Sequence, residues 1–215
     1  MALNVFDLES WDVLSARLIE LARAAGAFAM LPFALMLRLN KHLFAGEFDA
    51  AAALNAEAGA IAEATGRPFL ASYGIVALAA WQGRERTTED AIAAAASVTA
   101  SQGARQWVAA AQWSRAVLYN GLGRFDDALV AAEQSRASVV EPGLTGLALL
   151  EVIEAAALSG NQERAAAALA ELAELTQACD SAWALASVAR ARALAEPEAT
   201  EPSYREALAR AQTPA

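Results

Sequence analysis

The chain has 215 residues, of which 57% are hydrophobic, and a formal net charge of −9 at pH 7. Such a composition supports a sizeable core and excludes intrinsic disorder for most of its length. The acidic balance, with no concentration of its 16 basic residues, excludes this segment as a holder of DNA or RNA.

Sixty alanines set against 12 glycines and 6 prolines favour helix over many short strands. In chain order the pattern predicts a leading helix over 10–25 and then helix pairs at 31–45 with 48–65, 68–82 with 88–102, 104–122 with 125–138, 144–158 with 162–178, and 182–195 with 201–212. Pro32 and Pro68 stand where a first turn begins and a missing N–H costs nothing. Thr87 with Asp90, and Asn161 ahead of QERAAAAL, read as N-caps. The charge-free stretches Ala24–Leu37 and Pro68–Gly83 are shorter than the roughly 18 residues a membrane span needs, so they read as core helices. Nothing in MALNVFDLES resembles a secretory leader, and the single Cys179 fits a reducing cytoplasm.

A repeat underlies these pairs. Gly46, Gly83, Gly123 and Gly160 follow amphipathic stretches at spacings of 37, 40 and 37, while Gly26, Gly66, Gly103 and Gly143 form a second set at 40, 37 and 40. Two glycines per unit mean two helices per unit. The clearest unit, residues 109–135, resembles a tetratricopeptide repeat (TPR), with Ala116, Tyr119, Gly123, Phe125 and Ala128 filling the motif. There Ala128 allows close helix approach, and Glu133 is expected on the solvated face. The unit around Gly46 keeps Phe48 and Ala51, that around Gly160 keeps Ala165, and the spacings exceed the usual TPR length. The expectation is all-α: one domain over 1–215, a TPR-like helix-pair solenoid, a right-handed α-α superhelix of about eleven helices.

The segments AGAFAMLPFAL, FDAAAALNAEAGAIAEATG, QWSRAVLYNGLGRFDDALVAAEQS and EPSYREALAR resemble the helical-repeat region of large ATP-binding LuxR-family regulators of the MalT-like group. That resemblance implies a non-catalytic sensing and interaction region, set between an ATPase and a helix-turn-helix domain. Neither of those modules is visible here, since there is no GxxxxGK[ST] loop and Lys41 lies on a predicted helix without a glycine-rich approach. The register agrees with a piece of a longer regulator, because the leading helix matches the second helix of a unit. A natural cap is the other reading of that helix.

Catalytic chemistry finds no support. His42 has no second ligand at metal spacing, Cys179 has no histidine partner, and the pairs Glu151 with Glu154 and Asp126 with Asp127 read as solvated faces. No metal and no cofactor is implied. What remains is the concave face of the first helices, expected to carry Phe33, Met36 and Asn40, then Leu70, Tyr73, Ala77 and Trp81, then Trp113, Val117 and Asn120, then Leu150 and Glu154, then Trp183 and Arg190. Such a groove would take a regulatory protein, a peptide or a small-molecule inducer, with Trp113 at its centre. The same aromatics also read as inter-helix core. A self-contained adaptor binding a protein or peptide is the alternative function.

Overall fold

The computed structural model describes residues 6–66, 69–102, 105–138, 142–196 and 200–211, with the side chains of 69–71, 96–102, 105, 142, 200 and 211 outside the description. Those residues form eleven helices and no strand: α1 Leu8–Ala24, α2 Leu31–Phe44, α3 Phe48–Ala64, α4 Phe69–Trp81, α5 Glu85–Gln102, α6 Arg105–Gly121, α7 Phe125–Ser138, α8 Pro142–Leu158, α9 Gln162–Thr176, α10 Ala182–Ala195 and α11 Thr200–Ala211. The expected all-α chain of eleven helices is thus what is seen. None of the described helices is long and apolar enough to cross a membrane.

The recurring glycines end helices for a stereochemical reason. Gly123 has φ +73°, its N–H donates to Asn120 O at 3.1 Å, and the next N–H, of Arg124, reaches back to Tyr119 O at 2.8 Å. These are the two bonds of a Schellman closure, which requires a left-handed residue at this point. Gly46 repeats it, donating to Leu43 O while Glu47 N–H donates to His42 O. Gly26, Gly66, Gly83 and Gly160 share the positive φ. Gly103 and Pro68 lie outside the described residues. Gly143 departs from expectation, since it sits buried in the first turn of α8, behind Pro142 at the helix start, and ends nothing.

Two cap expectations resolve differently. Asn161 caps α9, its side chain accepting from Arg164 N–H at 3.1 Å. Thr87 does not cap α5. The closure at Gly83 lets that helix begin at Glu85, leaving Thr87 within it.

Packing divides the chain into two compact units, residues 9–114 and residues 1–8 with 115–215, a division that falls inside α6. In the first unit α2 packs on α3, α3 on α4, α4 on α5, and α2 also meets α4. Its core holds Ile19, Leu31, Leu35 and Ala58, and further along Leu39, Leu43, Ala51 and Ala77. Removing each such leucine or isoleucine side chain from water contributes roughly 1.5–3 kcal/mol. Polar bonds tie α1 to α2: Trp11 Nε1 donates to Leu37 O at 3.0 Å, and Arg38 donates to Asp12 O at 2.6 Å and to its carboxylate at 2.7 Å.

In the second unit α8 meets α7, α9 and α10, α9 meets α10, and α10 meets α11. Ala116 and Ala128 are fully buried, as close helix approach requires. Glu133 is not simply solvated. It pairs with Arg136 at 2.9 Å and with Arg164, and both arginines also pair with Glu171, so a four-residue ionic network joins α7 to α9.

Candidate functional site

In the second unit, three first helices bring polar side chains together. Asn120, 7% exposed near the end of α6, donates its Nδ2 to the Glu151 carboxylate at 2.9 Å and to the Glu151 carbonyl at 3.2 Å. A backbone carbonyl only accepts, so it sets the orientation of the amide, with Nδ2 toward Glu151 and Oδ1 on the other side. That Oδ1 is buried and has no hydrogen-bond partner. One turn after Glu151, Glu154 receives a hydrogen bond from the guanidinium of Arg190 on α10.

Burial drives the Glu151 carboxyl up to about 7. The Asn120 bond opposes the shift, Glu154 adds to it, and Arg190 opposes it. Burial works against the Arg190 charge, but Glu154, joined by Glu151 and Tyr204, outweighs it and the net shift is upward. At neutral pH this cluster therefore offers a carboxyl poised between its two forms, an ion pair and an unpaired acceptor.

Glu151 is the residue that sequence reasoning misplaced on a solvated face. A signal was present in the sequence: Glu151 and Glu154 are the only charges in the largely apolar α8, and carboxylates among leucines, valine and isoleucine need partners. Asn120, Glu154 and Arg190 were expected in the groove and do share one cluster. Val117 and Leu150 are half-buried on α6 and α8, and Trp183 is half-buried on α10 beside Phe6, ring centroids 5.0 Å apart.

The first unit holds the other expected groove residues. Phe33 is 41% exposed and Met36 half-buried. Asn40 is buried, its Oδ1 without a partner, and its side chain hydrogen-bonds Tyr73, whose hydroxyl burial pushes up to about 12. Tyr73 also meets Trp107 edge-on at 5.3 Å. Phe44 is a hub, with Trp11, Trp81 and Trp113 rings at 5.9, 5.8 and 6.1 Å.

Trp113, expected as the central open face of the groove, is 2% exposed and belongs to this aromatic core. Phe44, at the end of α2, is one of the rings packed beside it, 6.1 Å away between centroids. Ala77 is likewise core, and the side chain of Leu70 lies outside the described residues.

Two residues weighed for chemistry remain, His42 and Cys179. His42 hydrogen-bonds Glu47, and that bond, aided by Lys41, lowers the Glu47 carboxyl. Burial and the neighbouring Asp180 push the Cys179 thiol up, which disfavours a thiolate nucleophile. Among the described residues no three His, Cys, Asp or Glu side chains are grouped to hold a metal ion. Comparisons with protein-family models, curated proteins and solved structures found no match for this chain.

Proposed function

We propose that the chain is a TPR-like helical-repeat module, a non-catalytic cytoplasmic region that receives a signal within a LuxR-type transcriptional regulator. A partner, whether a regulatory protein, a peptide or a small-molecule inducer, engages the cluster of Asn120, Glu151, Glu154 and Arg190. Support for the repeat comes from the regular hairpins closed by glycine and from the packing of alternate helices, α2 with α4 and α8 with α10. Alternate contacts of this kind line up first helices along one face, where solenoids bind partners.

The observation that carries the binding site is the buried, unpartnered Asn120 Oδ1 beside two carboxyls and a guanidinium. A buried polar atom without a partner is costly, and a ligand that donates a hydrogen bond there removes the cost. Such a ligand carries an N–H or ammonium group for Asn120 and Glu151, with Arg190 available to an acceptor.

The test uses a partner captured by the immobilised chain and then titrated against it. Arg190→Ala and Glu154→Gln should each weaken binding about tenfold or more while helicity by circular dichroism is kept. Unchanged affinity in both variants would sink the site. A reading frame that carries no Walker A motif and no helix-turn-helix would replace the regulator with a self-contained adaptor.

A further inference from the structure

Phe6 stands two residues ahead of the first helix, outside any helix, and is fully buried. It belongs to the second unit. Its ring sits over Gly146 of α8, where an added Cβ would overlap the ring and would also meet Leu175 of α9 at 3.1 Å. Trp183 of α10 flanks it at 5.0 Å between centroids. Glycine inside a helix weakens that helix relative to alanine, and here the Phe6 ring, with Leu175 beside it, takes the place of the missing Cβ of Gly146.

The backbone of Phe6 is read as well. Ser181 caps α10, its hydroxyl oxygen accepting from Ala184 N–H at 3.1 Å. With the oxygen so engaged, the hydroxyl hydrogen is aimed outward and donates to the Phe6 carbonyl. One ring socket and one oriented donor to a main-chain carbonyl are the two elements with which a surface recognises an extended peptide.

Phe6 meets this socket under strain. Its φ is +50°, the left-handed region that a bulky side chain rarely adopts, and the chain must then enter α1 two residues further on. A peptide not joined to α1 would place the same ring and carbonyl without that turn.

We propose that the cleft of Gly146, Leu175, Ser181 and Trp183 is a recognition site for an extended peptide bearing a phenylalanine, and that Phe6 occupies it in cis as a built-in competitor. The partner is a protein segment whose phenylalanine replaces Phe6. This inference depends neither on the polar cluster nor on the regulator reading, because none of its four residues belongs to that cluster.

The probe is a fluorescent peptide with the chain's own sequence LNVFDLE, compared with LNVADLE. Binding is followed by anisotropy to the full chain and to its Phe6→Ala variant. Phe6→Ala should bind LNVFDLE at least tenfold more tightly than the wild type does, LNVADLE should bind neither, and adding Gly146→Ala to Phe6→Ala should abolish the gain. Equal binding by wild type and folded Phe6→Ala, or equal binding of the two peptides, overturns the proposal.

Should Phe6→Ala fail to fold, wild-type protein answers the same question. Excess LNVFDLE should accelerate chymotryptic cleavage after Phe6 at least fivefold and LNVADLE should not; an unchanged rate overturns displacement. A wild-type dimer in light scattering that dissociates in Phe6→Ala would place a second copy's Phe6 in the cleft and overturn the cis assignment.

Discussion

Two residues show how one residue type in one pattern takes a role set by its neighbours. Trp113 is core, and its indole N–H is buried without a partner. Truncation to alanine should therefore cost about 3–5 kcal/mol in urea melts, whereas Trp113→Phe, which keeps a ring and removes the unsatisfied donor, should stay within about 1.5 kcal/mol of wild type. Equal losses in the two variants would show that the donor matters. Glu151 makes the second case. Its folded-state carboxyl is raised to about 7 against an ordinary 4.5, so the native state binds the extra proton between those values. Its contribution to stability is fully present below about pH 4.5 and is lost as the pH rises through about 7. Glu151→Gln keeps an acceptor for Asn120 and removes the titration. The variant should gain about 1–3 kcal/mol on wild type between pH 5 and pH 8, allowing for the half-buried residue, and parallel stability curves over that range would refute the assignment.

At the scale of the helix, closure and close approach carry the repeat. Gly123 has open space where a Cβ would stand, so Gly123→Ala tests the backbone alone and should cost about 1–2 kcal/mol for its φ of +73°. Ala128 is fully buried, and Ala128→Leu should overpack α7 against its neighbours by about 1–3 kcal/mol. The neutral control is Val130→Thr, 57% exposed on the same helix and expected within about 0.5 kcal/mol. Glu133 does not serve as that control, since it holds Arg136 and Arg164 in the network between α7 and α9. Identical urea midpoints for wild type and Ala128→Leu would mean that the helices do not meet there.

For the molecule as a whole, charge and the reading of its modules combine. A chain of net charge −9 with dispersed arginines has no electrostatic footprint for a polyanion, and without a phosphate loop it has no cradle for ATP. The purified chain should neither bind duplex DNA at physiological salt nor hydrolyse ATP. Saturable DNA binding that weakens steeply with added salt would overturn the first half, and phosphate release above that of buffer the second.

The sequence by itself determined the helices and most of their ends. Helix propensity and amphipathic spacing are local, and a glycine that must adopt positive φ announces itself in the chain, as Gly46 and Gly123 do. Gly143 misled because a glycine behind a proline opens a helix as readily as another glycine ends one. That Asn120, Glu154 and Arg190 share one face was legible in their common register on first helices, and the apolar run around Glu151 signalled that it needs a partner, but which partner it turns to and the burial of Trp113 were not legible. Tertiary structure decided those, because which face of α8 meets α6, and whether Phe44 packs beside Trp113, depend on contacts between residues tens of positions apart. The seat of Phe6 against α8 and α10 is the extreme instance: a bond between residues 175 positions apart leaves no periodicity to read, and only the folded chain brings Ser181 to the Phe6 carbonyl.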